Sequence, residues 1–168
     1  MRAHLLKTAI VWTAFATSSP LLMSTAHAQA ARYELDPEHT TVAFLVDHIG
    51  YAKVLGMFRS ARGSYRFDEA TATLSEVRIE VETASVFSNQ RKRDDHLKGP
   101  DFLNSSQFPR MVFTASSAKR TSDRQFEITG QLELLGKSQP LTLQATWNKS
   151  AESPLGGFGR KPYVMGVS

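Results

Sequence analysis

SNQRKRDDHLKGPDFLNSSQFPRMVF, residues 88–113, is the stretch in which the regular alternation of apolar and polar residues stops. It contains a charge-dense run at 91–95, followed by a glycine–proline pair that breaks the chain direction. The apolar residues within it include Leu97, the pair Phe102 and Leu103, and Phe108. This pattern predicts short helical turns that cross one end of a β-sheet, with Leu97, Phe102 and Phe108 facing inward.

The segments that flank this stretch have the alternating pattern of half-buried β-strands. Val77, Ile79 and Val81 alternate with charged residues within residues 74–82. Two later segments show the same pattern: residues 125–135 and 141–148. Each is therefore predicted to be a strand with one face on the core and the other in water.

The first part of the chain predicts less regular strands. Residues 32–35 and 42–48 are expected to be strands, and residues 51–55 a looser segment between two glycines. A long strand is expected to include residues 58–67, with Gly63 marking a bulge or a sharp bend.

Strands of this kind, joined by short polar turns, predict an antiparallel all-β domain. The alternation alone leaves a barrel and a sandwich open. A barrel is favoured because the strands are long and bent at glycine, and because closing a sheet removes its exposed edges. Eight strands around a tapering interior leave room for one apolar ligand.

The first 28 residues have the features of a secretory signal peptide. Arg2 and Lys7 form a positive start, residues 8–23 carry no charge, and Ala26-His27-Ala28 fits a cleavage site with small residues. We therefore expect export to the periplasm, cleavage after Ala28 and one mature domain over residues 29–168. An uncleaved membrane anchor is the alternative.

Charge and composition limit the classes of partner and chemistry. The chain carries 20 Lys and Arg against 16 Asp and Glu, and residues 1–28 hold two of the basic residues and none of the acidic ones. The mature domain is thus nearly neutral, which argues against nucleic acid as a partner. The lack of cysteine excludes disulfides and thiolate chemistry. Three widely spaced histidines after residue 28 predict no metal site.

The sequence contains several short motifs in a specific order. They include DHIG at 47–50, RDxHL at 93–97, DFLN at 101–104, FP at 108–109 and ITG at 128–130. In these motifs the sequence resembles the YceI-like family of periplasmic polyisoprenoid-binding proteins. The resemblance implies a lipocalin-like, eight-stranded antiparallel β-barrel with a short helical crossover segment. It also implies an isoprenoid chain, such as a polyprenyl or quinone tail, held in the barrel interior.

The sequence departs from the family pattern at two places. Leu103 stands where family members usually place a second aromatic residue. In the family, a strand that begins like residues 163–168 is followed by a further strand pair, so about 20–30 more residues are expected for a closed barrel. We therefore expect a barrel that is incomplete at the C-terminus, or one with an open edge.

We predict the apolar pocket from the inward faces of the strands and of the crossover. Its predicted members are Phe44, Val46, His48, Phe58, Phe67, Ile79, Leu97, Phe102, Phe108, Phe113, Leu132 and Trp147. A structural polar clamp between the crossover and the barrel is predicted from Arg93, Asp94 and His96. We predict no catalytic residue, no metal and no cofactor apart from a bound isoprenoid or quinone-type lipid.

The predicted function is that of a non-catalytic carrier or sequestering protein for a long apolar lipid. Two alternatives stay open. One is an enzyme acting on a small apolar substrate with His48 or His96 as the base. The other is a module in which an open sheet edge recruits a strand of a partner. A homodimer and transient contact with a membrane surface also stay open.

Overall fold

The structure is a computed structural model that describes residues 30–155 and 162–168. The predicted signal peptide lies outside these residues. The described chain forms one α-helix, α1 (Arg91–Lys98), and eleven strands. The strands are β1 (Ala31–Glu34), β2 (Val42–His48), β3 (Ala52–Phe58), β4 (Ala61–Asp68), β5 (Thr73–Glu82), β6 (Val86–Phe87), β7 (Arg110–Ser117), β8 (Lys119–Arg120), β9 (Gln125–Leu134), β10 (Lys137–Glu152) and β11 (Tyr163–Val167).

The strands form two antiparallel sheets. An eight-stranded sheet has the order β1-β4-β5-β7-β9-β10-β11, with β8 also paired to β9. A three-stranded sheet has the order β2-β3-β6. Together they make a nearly closed barrel with one short helix, which confirms the all-β, antiparallel fold class predicted from the sequence.

Most of the looser segment expected at residues 51–55 is instead part of a strand, which begins at Ala52. Strand β3 pairs with β2 along its whole length, from His48↔Ala52 to Val42↔Phe58. Ile49 and Gly50 have φ angles of 54° and 76°, so the chain reverses within a short turn. The long strand expected around residues 58–67 is divided between β3 and β4 by a two-residue connection.

A two-residue turn joins β9 to β10. Leu135 and Gly136 both have positive φ angles, 53° and 69°, which a tight hairpin with the native strand twist requires. A Cβ atom at Gly136 would lie 3.0 Å from the ring of Phe108. The crossover therefore packs directly against this turn.

Two apolar clusters form the core. The larger contains Phe67, which is 1% exposed, with buried residues of β5, β7, β9 and β10 around it. The smaller contains Phe58, Ala61, Val81 and Val86. Ile79 packs against both clusters and so joins them. Full burial of one valine, leucine, isoleucine or phenylalanine side chain in these clusters stabilises the fold by about 1.5–3 kcal/mol.

The crossover contributes to the smaller cluster through Leu97 and Leu103. Leu103, the residue that departs from the family pattern, is thus a packing residue. The expectation that Phe102 faces inward is wrong, because this side chain is 47% exposed. Its ring lies edge-on against the ring of His96, with the centroids 4.9 Å apart. No helix in the described part of the chain is long and apolar enough to span a bilayer.

The close approach of β7 and β9 depends on glycine at position 130. A Cβ atom there would overlap the carbonyl oxygen of Thr114 and lie 2.7 Å from the ring of Phe113. Gly130→Ala is therefore expected to lower the free energy of unfolding by about 1–3 kcal/mol, as overpacking does. Urea denaturation measures this change.

Gly166→Ala is the matched control for this test. A Cβ atom at Gly166 in β11 would lie 3.7 Å from its nearest neighbours, which is an ordinary contact. This variant is expected to change the free energy of unfolding by less than about 0.5 kcal/mol. Equal losses in the two variants would contradict the account of β7–β9 packing.

Candidate functional site

A groove of about 650 Å³ lies between the first and last described strands, β1 and β11. In the described residues β1 pairs with β4 and β11 pairs with β10, so the two strands are the opposite edges of the eight-stranded sheet. The apolar and aromatic side chains that line the groove are Ala31, Tyr33, Leu35, Tyr65, Tyr163, Val164, Met165 and Val167. The groove is therefore a mainly apolar gap in the barrel wall, with Arg32, Glu34, Asp36 and His39 also in its lining.

The floor of the groove is continuous with the barrel interior. Tyr33 and Tyr65 are cross-strand partners, and their rings stack with centroids 5.5 Å apart and an interplanar angle of 11°. Both rings and Met165 also pack against the larger core cluster. An apolar molecule that enters between β1 and β11 thus contacts side chains that belong to the core.

Glu69 connects the two sides of the groove. Tyr33 Oη donates to Glu69 Oε1 at 3.2 Å, and Tyr163 Oη donates to Glu69 Oε2 at 3.1 Å. Burial, together with the hydrogen bond to Glu69, raises the pKa of Tyr33 to about 12. Burial raises the pKa of Tyr65 to about 12 as well, and the same two causes raise that of Tyr163. The three phenols therefore stay neutral, and Tyr33 and Tyr163 remain hydrogen-bond donors.

A polar pair marks another part of the groove wall. His39 Nδ1 and Asp36 Oδ2 are 2.7 Å apart, and Thr40 Oγ1 donates to the backbone oxygen of Asp36 at 2.6 Å. The hydrogen bond between the two side chains raises the pKa of His39 and lowers that of Asp36. Both side chains are exposed, so this pair gives the apolar groove a charged rim.

The sequence-predicted pocket residues lie away from this groove, since none of the twelve lines it. Five belong to the larger core or pack against it: Phe67, Ile79, Phe113, Leu132 and Trp147. Three belong to the smaller core or pack against it: Phe44, Phe58 and Leu97. The remaining four are partly or mainly exposed: Val46, His48, Phe102 and Phe108. Their assignment as ligand contacts stays a prediction.

A second apolar surface lies on the β2–β3 hairpin. Its outer half exposes large side chains to between 54% and 90% of their area: Leu45, Val46, Ile49, Tyr51 and Leu55. Strand β3 meets β6 only through Met57 and Phe58, so this half of the hairpin projects from the rest of the described chain. We call residues 45–55 the exposed hairpin.

Sequence reasoning missed the groove residues for a physical reason. Alternation identifies Tyr65 as a neighbour of Phe67 on the same strand, but it does not indicate which inward side chains border open space. The hydrogen bonds of Glu69 join residues 36 and 94 positions apart. No local pattern in the sequence signals such contacts.

The predicted polar clamp forms in part, and its centre is Ser88. Asp94 is 8% exposed, and its Oδ1 accepts hydrogen bonds from the Ser88 backbone N–H at 2.8 Å and from the Ser88 hydroxyl. Arg93 donates from Nε to Ser88 Oγ at 2.7 Å and from Nη2 to the Ser88 backbone oxygen at 2.6 Å. Helix α1 is thereby fixed to the end of β6.

His96 takes no part in these contacts with Ser88. Its Nε2 lies 3.5 Å from Asp101 Oδ2, and its side chain is 63% exposed. Together with the edge-on ring of Phe102, this contact holds the turn that follows α1. His96 thus stabilises the crossover locally, whereas Arg93 and Asp94 connect it to the sheet.

Comparisons with known proteins agree with this architecture. The model of the YceI-like domain family matches residues 33–164. Protein YceI of Salmonella arizonae is 38% identical over 143 residues, which cover 84% of this chain and 74% of that protein. A UPF0312 protein of Pseudomonas savastanoi pv. phaseolicola is 35% identical over 139 residues, covering 82% of this chain and 72% of that protein.

Two solved structures have a similar fold. The YCEI protein of Campylobacter jejuni superimposes with a TM-score of 0.59 at 30% identity, covering 73% of this chain and 71% of that one. BcnA of Burkholderia cenocepacia superimposes with a TM-score of 0.63 at 20% identity, covering 70% of this chain and 73% of that one. The second similarity concerns the fold alone.

Removal of the Asp94 carboxylate tests the clamp. Asp94→Ala leaves the buried N–H and hydroxyl of Ser88 without their acceptor, which is expected to lower the free energy of unfolding by about 1–3 kcal/mol. Asp95→Ala is the control, because Asp95 is 64% exposed and lies 3.9 Å from Arg91. An exposed pair of this kind contributes less than about 1 kcal/mol. Equal urea midpoints for the two variants would contradict the clamp.

Proposed function

This chain belongs to the YceI-like family, and from that premise we propose that it binds a long apolar lipid in the groove between β1 and β11. The ligand class is an isoprenoid chain, such as a polyprenyl or quinone tail. The protein acts as a carrier or a sequestering protein and performs no chemistry on the lipid.

One observation supports this function above the others. Tyr33, Tyr65 and Met165 line the groove and at the same time pack against the larger core cluster. A groove with such a floor removes an apolar chain from water on one side and places it against core side chains on the other. This is the environment that small-molecule sites use for mostly apolar ligands.

Burial alone supplies enough free energy for tight binding. One five-carbon isoprene unit is worth about 3–4 kcal/mol when it leaves water, at about 0.8 kcal/mol for each methylene-sized group. Association costs several kcal/mol for the lost freedom of the ligand. A few buried isoprene units therefore suffice for micromolar binding or tighter, which corresponds to about −8 kcal/mol.

The two histidines considered for catalysis have surroundings that suit a structural role better. His48 is the last residue of β2 and lies within the exposed hairpin, just before its turn. His96 is 63% exposed and contacts Asp101 and Phe102 on its own crossover. General bases work best in sites that exclude water and hold a substrate in place. These positions favour the carrier over an enzyme.

The proposed location is the periplasm. Residues 1–28 carry the positive start, the uncharged stretch and the small-residue cleavage site of a secretory signal peptide. A lipid with a long apolar chain has very low solubility in water, so a protein between two membranes serves to shield it during storage or transfer. The proposed partner is therefore the lipid itself and, transiently, the membrane surface from which it comes.

The edges of the sheet support a second candidate function. Within residues 30–155 and 162–168, β1 and β11 each pair on one side only. Such edges accept an extended strand from a partner or from a second copy of the chain. A dimer or a peptide complex would then occupy the groove in place of lipid.

Native mass spectrometry of protein purified from its own cell envelope tests the proposal. We expect a monomer that begins at Gln29 and carries an apolar adduct. Met165→Asp places a charge in the groove and is expected to weaken binding of an added polyprenyl alcohol at least about 10-fold, since one buried apolar contact is worth about 1.5–3 kcal/mol. Circular dichroism verifies that the variant is folded.

Leu155→Asp is the control, because Leu155 is 89% exposed and does not line the groove. This variant should bind the alcohol as the unaltered protein does. A spectrum free of adduct, together with no binding of added alcohol, would contradict the carrier. A dimer mass that disappears in the Met165→Asp protein would favour the edge-strand function instead.

A further inference from the structure

A second cavity, of about 420 Å³, lies beside helix α1. Its walls are α1, the two-residue connection between β3 and β4, and the segment that ends in β6. Two cationic side chains line it, Arg59 from the connection and Lys98 from the last turn of α1. None of these residues lines the β1–β11 groove, so the two cavities are separate.

The two cations have no carboxylate partner. Within residues 30–155 and 162–168, no Asp or Glu oxygen lies within 4.0 Å of Arg59 or Lys98. The remaining residues of the chain include neither Asp nor Glu. Elsewhere on the barrel, Arg62 and Arg78 both pair with Glu80 at 2.6 Å. The positive charges in the cavity are thus available to an external anion.

Arg59 makes one contact through its side chain and one through its backbone. Its Cζ lies 5.4 Å from the centroid of the Phe87 ring, within cation–π distance. Its backbone N–H donates to the carbonyl oxygen of Ser85 at 3.1 Å. A guanidinium held by one face against an aromatic ring keeps its edge N–H groups free for a planar or tetrahedral oxyanion.

Asp94 is the one carboxylate in the cavity lining, and it is already engaged. Its Oδ1 accepts two hydrogen bonds from Ser88, and the Arg93 guanidinium donates to the same serine. One oxygen of the Asp94 carboxylate is therefore already occupied as a hydrogen-bond acceptor inside the clamp. Lys98 lies one helical turn after Asp94 on the same face of α1, and it lines the same cavity.

We propose that this cavity binds a phosphate group. Arginine and lysine are the side chains that bind phosphate oxygens most often, arginine through its fork of N–H donors and lysine as a point charge. The volume of 420 Å³ exceeds the space that a phosphate ion needs, since one water occupies about 30 Å³ of the liquid. The cavity therefore also has room for the group that carries the phosphate, whether a soluble ester or a lipid headgroup.

Titration with inorganic phosphate at constant ionic strength tests the site. Amide resonances of Ser60, Ser85 and Phe87 are expected to shift saturably, because these residues line the cavity. Arg59→Gln and Lys98→Gln should each weaken binding about 10-fold, since each removes a charged hydrogen-bond donor. Lys119→Gln, in strand β8, removes the same charge outside the cavity and should change the affinity less than about 2-fold.

A second arm distinguishes the source of the phosphate group. Vesicles of phosphatidylcholine, with and without phosphatidylglycerol, are sedimented with the unaltered protein and with each variant. If the unaltered protein binds the anionic vesicles and both Arg59→Gln and Lys98→Gln abolish this binding, the phosphate group belongs to a lipid headgroup. Binding of free phosphate without vesicle binding identifies a soluble phosphate compound.

Three outcomes would overturn the proposal. The first is an absence of both phosphate binding and anionic vesicle binding. The second is an equal loss of binding in Lys119→Gln, which would mean general electrostatic attraction. The third is a set of shifted resonances outside the cavity. Urea midpoints of the variants establish that any loss of binding does not come from unfolding, and Arg59→Gln suffices alone if Lys98→Gln is unstable.

Discussion

The two edge strands of the eight-stranded sheet face each other without pairing in the described chain, and the groove exists because of this gap. Backbone hydrogen bonds join all the neighbouring strands within the order of that sheet. Across the gap the two edges are connected by side-chain hydrogen bonds, because the Tyr33 and Tyr163 hydroxyls donate to the two carboxylate oxygens of Glu69. Two hydrogen bonds stabilise such a contact far less than a strand ladder does. Within the described residues, this side of the barrel wall is therefore held by side-chain hydrogen bonds and not by a strand ladder.

The crossover that contains α1 is held to the end of β6 by buried polar contacts. Ser88 accepts hydrogen bonds from Arg93 and donates hydrogen bonds to Asp94, and these contacts join helix α1 to the end of β6. Leu97 and Leu103 then complete the smaller core cluster. The same placement of α1 brings Lys98 towards Arg59 and forms the second cavity. A single polar cluster thus determines both the packing and a charged surface.

Much of the fold could be predicted from the sequence, because burial of one strand face leaves a period-two pattern. Residues 74–82 and 125–135 agree with β5 and β9 within one residue at each end. The prediction failed at residues 51–55, where most side chains are exposed and β3 is defined by its pairing with β2. It also failed at Phe102, whose contact is with the ring of His96.

The site was less predictable than the fold. Inward faces identify core residues such as Phe67 and Phe113, but space for a ligand arises where two distant strands fail to meet. Tyr33 and Met165 line the same groove only because the curvature of the sheet brings β1 and β11 together. The charges of Arg59 and Lys98 are likewise ordinary in the sequence, and only the cavity between α1 and the β3–β4 connection gives them a joint role.

The central claim, that the gap between β1 and β11 holds an apolar lipid, is tested most directly by photo-crosslinking. An isoprenoid alcohol with a diazirine near the end of its chain is bound to the full chain and irradiated, and labelled peptides are identified by mass spectrometry. The account predicts labels on β1, β11 and Tyr65 that excess unlabelled alcohol removes. Labels confined to the exposed hairpin, residues 45–55, or labels that excess alcohol does not displace, would contradict it.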